Sequence, residues 1–247
     1  MVGIDLHESA HALVGLWMGG SRVTVSSTGV EGSWSAFRNA GWVLYGVSGT
    51  FANAVLALGG WIVFRRSVGT RATAALVGWA FFAVNAWIAT MYLIASPTFG
   101  FGDWMAVLDR FAARGPVRAS AAITGLFIAG LLWQETGTSL ARLVGNGSVE
   151  DRTRRAAVLT RVIWLASGVI AIAGGLYAPA GWARGAAIGM GTTLGSTWPI
   201  LLAARRVGEK PVPGTPLEIP RSPGVIVAGA IAASGFIALL GPGLRID

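Results

Sequence analysis

The sequence predicts an all-α integral membrane protein, a polytopic bundle of about six to seven transmembrane helices, with a short β-hairpin after the first helix. Of the 247 residues, 53% are hydrophobic and 12% are charged. The charged share is about half that of an average soluble domain. A soluble fold could not bury so much apolar surface, so lipid must form part of the solvent.

Six apolar stretches have about the length that a bilayer-spanning helix needs. They cover residues 40–64, 72–96, 120–143, 157–178, 182–204 and 224–240. The N-terminus, roughly Met1 to Met18, predicts a seventh helix, which at about 18 residues barely spans a bilayer. The connecting segments carry glycine, proline and charged residues and predict loops.

The first connection contains a short strand pattern. Arg22 to Ser26 alternates polar and β-branched residues, and Gly29 and Gly32 follow it closely. Such a pattern predicts a strand or hairpin. A small strand here would offer a free edge for pairing.

Charge and cysteine content exclude several classes of function. The net charge is +8, but lysines and arginines lie in short clusters between apolar runs. That distribution is typical of loops beside a bilayer, so we expect a multi-pass protein of the cell membrane and no nucleic-acid partner. The chain has no cysteine, which excludes disulfides, thiolate catalysis and cysteine-ligated metals.

Both histidines of the chain lie in one run, His7-Glu8-Ser9-Ala10-His11. On a helix, His7 and His11 project from one face a turn apart, so both imidazoles can bind one ion. Zinc accepts nitrogen and oxygen ligands tetrahedrally, and at an open position it lowers the pKa of bound water to about 7. Glu8 is then the candidate catalytic base for that water.

The third metal ligand must be a carboxylate or another oxygen, because both histidines are already used. The candidates are Asp103, Asp109, Glu31 and Glu135. Asp103 follows a glycine-rich turn that can bend the backbone and aim a carboxylate back into the bundle. Glu135 is the second choice, since it lies inside a predicted span, where an acid marks a functional site.

Together these features resemble the site-2 protease family of intramembrane zinc metalloproteases. The points of likeness after the first core helix are Gly19-Gly20, a strand-like connection, Gly49-Thr50-Phe51-Ala52-Asn53 in the second helix, and Ser96-Pro97 before Gly102-Asp103-Trp104 in the third. The family has Gly-Pro in the second helix, and Asn-x-x-Pro followed by Leu-Asp-Gly in the third. The sequence therefore departs from the family at Thr50, Gly102 and Trp104.

The resemblance implies a site and a cofactor. Zinc would be held by His7, His11 and Asp103, with Glu8 as the catalytic base. Asn53 would have a substrate-binding or oxyanion role.

The resemblance also implies an organisation and an activity. Residues 1–110 would form a catalytic core of three helices, and residues 111–247 would add transmembrane helices of unassigned role. The expected activity is that of a membrane-embedded zinc-dependent metalloendopeptidase, which hydrolyses peptide bonds in or near transmembrane segments. Its partners would be a membrane-protein substrate and the lipid bilayer, and the strand near Val23 to Ser26 would suit docking by strand addition.

Three other functions are compatible with the residues. In a transporter or channel, the acidic and histidine side chains would form a proton or cation path through the bundle. A non-catalytic membrane scaffold would bind substrates without cleaving them. A soluble zinc protease is disfavoured, because apolar spans follow the histidine motif directly.

Overall fold

The computed structural model describes residues 2–35, 37–111, 114–208 and 223–246, and these are mostly helical. The helices are α1 (Val2–Trp17), α2 (Asn39–Ser67), α3 (Ala72–Phe99), α4 (Trp104–Leu108), α5 (Arg114–Val144), α6 (Val149–Gly175), α7 (Trp182–Gly189), α8 (Pro199–Arg206) and α9 (Pro223–Gly235). Two π-helical segments, Met190–Gly195 and Phe236–Leu240, follow α7 and α9. The strands are β1 (Ser21–Ser26), β2 (Gly29–Ser33) and β3 (Leu244–Ile246).

Within the described residues, five helical segments are long and apolar enough to cross a membrane. They are α2, α3, α5, α6 and the segment Pro223–Leu240. Their outward positions are apolar, and Phe127, Val169 and Ile231 are each more than half exposed. Contiguous exposed apolar surface of this kind indicates contact with lipid, so the multi-pass membrane character is confirmed.

The predicted span over 182–204 is divided in the structure into α7, a π-helical segment and α8. Pro199, in the first turn of α8, has no backbone N–H and so cannot continue the hydrogen bonds of the preceding helical segment. Helix α1 has 16 residues. At 1.5 Å per residue it is about 24 Å long, shorter than the hydrocarbon core of about 30 Å.

The small sheet has the order β2-β1-β3, with both neighbours antiparallel to β1. The predicted hairpin is therefore confirmed. The prediction of a free edge on β1 was wrong, because Val23 pairs with Ile246 and Val25 with Leu244. Ser27 N–H also donates to the Leu240 carbonyl at 2.7 Å. Strand pairing more than 200 residues apart leaves no local signal, and the hairpin edge still open among the described residues belongs to β2.

Helix α3 lies between α2 and α5 and forms the centre of the main core. A Cβ at Gly60 would lie 2.7 Å from the Gly78 carbonyl oxygen, so α2 and α3 pack backbone to backbone. On the other side, the Trp79 indole N–H donates to Ser139 Oγ at 2.9 Å. Ile200 of α8 is fully buried in the same core. This core fixes α2 and α3, on which the candidate site is built.

Candidate metal centre

Helix α1 and the turn after α3 bring three potential ligand atoms together. His7 Nε2 lies 3.2 Å from His11 Nε2, and Asp103 Oδ2 lies 2.9 Å from the first and 3.2 Å from the second. The histidine side chains are 4% and 2% exposed, and that of Asp103 is 25% exposed. The structure thus joins Asp103, across almost a hundred residues, to the two predicted histidine ligands.

The spacing of these atoms fits a small tetrahedral ion. With zinc–ligand bonds of about 2.0–2.1 Å, tetrahedral ligand atoms lie about 3.3 Å apart. The observed separations of 2.9 to 3.2 Å are slightly shorter. A point about 2 Å from all three atoms lies about 1 Å outside their plane, so an ion placed there keeps one face open for a fourth ligand.

His11 is oriented by the backbone of α2. Its Nδ1 lies 2.7 Å from the Tyr45 carbonyl oxygen, which suits an Nδ1–H donor and leaves Nε2 as the metal-binding nitrogen. Ser48 Oγ lies 3.0 Å from the same nitrogen and donates to the same Tyr45 carbonyl at 2.8 Å. The tautomer of His11 therefore rests chiefly on a main-chain acceptor.

His7 is oriented by a side chain instead. Asn53 Nδ2 lies 3.0 Å from His7 Nδ1, and Asn53 Oδ1 is buried without a hydrogen-bond partner among the described residues. A metal on Nε2 requires Nδ1 to carry the proton. Rotation of the Asn53 amide by half a turn then lets Nδ1–H donate to Oδ1 and gives that buried oxygen its partner. The rotated Asn53 amide is therefore compatible with a metal on His7 Nε2.

The turn after α3 aims Asp103 at the histidines. Gly100 and Gly102 have φ values of 73° and 90°, a left-handed conformation that glycine adopts without strain. Burial raises the pKa of the Asp103 carboxyl, but hydrogen bonds and charges from His11 and His7 outweigh it and hold that pKa well below its usual range. The carboxylate is therefore an ionised oxygen donor, the form that a metal binds.

Helix α2 holds this turn in place. The Trp104 indole N–H donates to Thr50 Oγ1 at 3.0 Å. A Cβ at Gly46 would lie 2.7 Å from the Asp103 carbonyl oxygen, so only glycine allows the turn to lie so close to α2. The sequence departs from the site-2 protease pattern at both Thr50 and Trp104. In this chain their side chains are hydrogen-bonded to each other.

Glu8 lies in the same cavity as the three ligand atoms. The cavity has a volume of about 200 Å³ and is lined by His7, Glu8, His11, Asn53 and Asp103, together with Ile4, Ile88, Tyr45 and Tyr92. That volume holds several water molecules at about 30 Å³ each. Glu8 is 9% exposed. The arrangement places a buried carboxylate, three potential metal ligands and room for water in one cavity.

No protein-family model, curated protein or solved structure matches this chain. The resemblance to site-2 proteases therefore rests on the motif residues of the sequence alone.

The C-terminal half of the chain also reaches the cavity. Ile188 of α7 and Thr192 of the following π-helical segment line it. So do Ser27 to Val30, the hairpin turn of the sheet that β3 completes. The sequence patterns assigned no site role to these residues, because the cavity brings together elements that are distant in the chain.

The sequence analysis named Gly49 only as part of the second-helix pattern and assigned it no role at the site. A Cβ at this position would overlap the Nε2 atoms of both His7 and His11. Gly49 precedes Asn53 by four residues and so lies on the same face of α2. That spacing, together with the bare surface that a glycine leaves, is the signal that points to it.

The other carboxylate candidates lie elsewhere. Asp109 accepts a hydrogen bond from Arg118 at 3.3 Å. Glu135 accepts one from the Trp61 indole at 3.1 Å and lines a separate groove between α2, α3 and α5. Glu31 is exposed on β2. None of the three belongs to the group that holds His7 and His11 within the described residues.

Proposed function

We propose that this chain is a zinc-dependent metalloendopeptidase of the cell membrane, which hydrolyses peptide bonds in or near transmembrane segments of membrane proteins. The observation that carries the proposal is the ligand triangle of His7, His11 and Asp103, with Glu8 in the same cavity. The five membrane-length helices support an embedded site. The proposal places the chain beside the site-2 proteases.

Each polar residue at the site has a distinct role. Zinc supplies a Lewis acid and an open position when three protein ligands hold it. Glu8 accepts a proton from the attacking water and returns it to the leaving amine. Asn53 and the Tyr45 carbonyl hold the two imidazoles in the tautomer whose Nε2 atoms face the ion.

The surroundings of the site suit an extended, apolar peptide. Ile4, Ile88 and Val30 give the cavity apolar walls. Gly29 and Val30 belong both to the cavity lining and to β2, whose outer edge has no partner strand among the described residues. Strand addition therefore fits β2 and not β1, and it would carry a substrate backbone past the ligand triangle.

The test combines metal content with cleavage. Detergent-purified wild-type protein should contain about one zinc per chain, and His7→Ala and Asp103→Ala should lose it. Glu8→Gln should keep zinc but lose cleavage of a library of labelled single-span membrane peptides. Glu150→Gln is the matched control, since Glu150 is exposed on α6 and lies outside the cavity. Wild-type protein without zinc, or full cleavage by Glu8→Gln, would overturn the proposal.

A further inference from the structure

Hydrolysis of a peptide bond places negative charge on the carbonyl oxygen, and a hydrogen-bond donor fixed beside that oxygen stabilises it. Both histidines of this chain are in the ligand triangle, so neither can serve as that donor. Among the side chains that line the cavity, the remaining candidates for this donor are Ser27, Thr28, Tyr45, Asn53, Tyr92 and Thr192.

Four of these side chains are already engaged. Asn53 contacts His7 Nδ1, the Tyr45 hydroxyl donates to the Val30 carbonyl at 3.4 Å, and the Thr192 hydroxyl donates to the Ile188 carbonyl at 2.9 Å. Thr28 bonds to Ser26 within the hairpin turn. The Ser27 hydroxyl oxygen is buried, so a substrate in the cavity could not contact it. It has no hydrogen-bond partner among the described residues.

The Tyr92 hydroxyl differs from all of these. It has no hydrogen-bond partner among the described residues. Unlike the Ser27 hydroxyl, it is not among the fully buried polar atoms that lack a partner. The Tyr92 ring stacks on the His7 imidazole, with centroids 5.3 Å apart and an interplanar angle of 30°. Tyr92 lines the same cavity as Glu8 and Asp103, the two acidic residues of the site.

We propose that Tyr92 is a catalytic residue that donates its O–H to the oxygen of the scissile carbonyl as negative charge develops there. This inference rests on the proposed peptidase function. Water forms a bond to the carbonyl carbon, Glu8 takes the water proton, and the carbonyl π electrons move onto the oxygen that Tyr92 contacts. The C–N bond then breaks, and the proton on Glu8 passes to the amine. Tyr92 keeps its own proton throughout.

The test compares Tyr92→Phe with Tyr177→Phe in detergent-purified protein. Each variant loses one phenolic hydroxyl, but Tyr92 lines the cavity and Tyr177 lies outside it and is 62% exposed. Zinc content, kcat and KM are measured on a single-span peptide that the wild type cleaves. Tyr92→Phe should keep its zinc and its KM within about threefold while kcat falls by about 10²- to 10³-fold. Tyr177→Phe should keep kcat within about threefold.

A second readout does not depend on turnover. A phosphinic peptide carries tetrahedral oxygens that imitate the charged intermediate, and its inhibition or binding constant should weaken in Tyr92→Phe by a factor similar to the fall in kcat. Wild-type kcat in zinc-loaded Tyr92→Phe would overturn the role of Tyr92 alone. Loss of zinc in that variant would make Tyr92 a structural residue. Absence of zinc and cleavage in the wild type would overturn the peptidase function and this inference together.

Discussion

Replacement of Asn53 by alanine should weaken zinc binding, although Asn53 is not itself a ligand. Asn53 is 1% exposed and is the only partner of His7 Nδ1 among the described residues. With a metal on Nε2, the buried Nδ1–H of His7 would have no acceptor in Asn53→Ala. A buried donor without a partner costs about 1–3 kcal/mol, which corresponds to about a 5- to 150-fold loss of affinity.

The matched control is Ser48→Ala on the same helix. Ser48 Oγ lies 3.0 Å from His11 Nδ1, but that nitrogen keeps the Tyr45 carbonyl at 2.7 Å when the hydroxyl is removed. Zinc affinity should therefore change by less than about threefold, in the range of one exchangeable hydrogen bond. Asn53→Asp supplies a charged acceptor for the same Nδ1–H and should bind zinc at least as tightly as the wild type.

The assay is a competition titration of each purified variant against a chromophoric zinc chelator in detergent at one fixed pH. Unfolding should be followed in parallel, so that a misfolded variant is recognised. Equal affinity of Asn53→Ala and wild type would refute the role of Asn53 in orienting His7. An equal loss in Ser48→Ala would refute the argument that the backbone carbonyl orients His11.

Two further predictions concern α2. Gly49→Ala should abolish zinc binding, because its methyl group would overlap both imidazole Nε2 atoms, whereas Gly59→Ala, with nothing within 4 Å, should bind zinc normally. Metal analysis of the two proteins decides this, and zinc in Gly49→Ala would contradict the geometry. Thr50→Val and Trp104→Phe each remove the 3.0 Å hydrogen bond that holds the Asp103 turn. Each should lower zinc affinity by about fivefold, equivalent to about 1 kcal/mol, and the double variant should lose no more than either single one. Trp61→Phe removes an indole hydrogen bond to Glu135, away from the site, and should leave zinc affinity unchanged. Additive losses in the Thr50→Val/Trp104→Phe double variant would contradict a role for the hydrogen bond between Thr50 and Trp104.

The local parts of this protein could be predicted well from the sequence. The boundaries of α2 and α3 follow the apolar runs to within a few residues, because a membrane helix satisfies its own backbone and needs only length and apolar side chains. The hairpin after α1 follows from its alternating residues and glycines. The placement of His7, Glu8 and His11 on one helix follows from their spacing alone.

The parts that could not be predicted depend on contacts between distant elements. The span expected over 182–204 is divided at the π-helical segment and Pro199, and the expected free edge of β1 is covered by β3. A strand three residues long has too little pattern to identify, and its partner lies more than 200 residues away. The bond between Thr50 and Trp104 likewise joins two departures from a family motif that look unrelated in sequence.

By itself, the sequence determined that the protein is helical and multi-pass, and that a metal site on its two histidines needs a carboxylate or another oxygen as the third ligand, because composition and spacing act locally. The tertiary structure alone decided which acidic residue lies beside those histidines. Four acidic residues met the chemical requirement, and only the packing of α4 and its preceding turn against α2 places Asp103 Oδ2 within 3.2 Å of both imidazoles. Packing also placed Asn53 on His7 and left the Tyr92 hydroxyl facing the cavity without a partner among the described residues. Such contacts depend on the relative positions of packed helices to within a few tenths of an ångström, and a linear sequence pattern does not encode these positions.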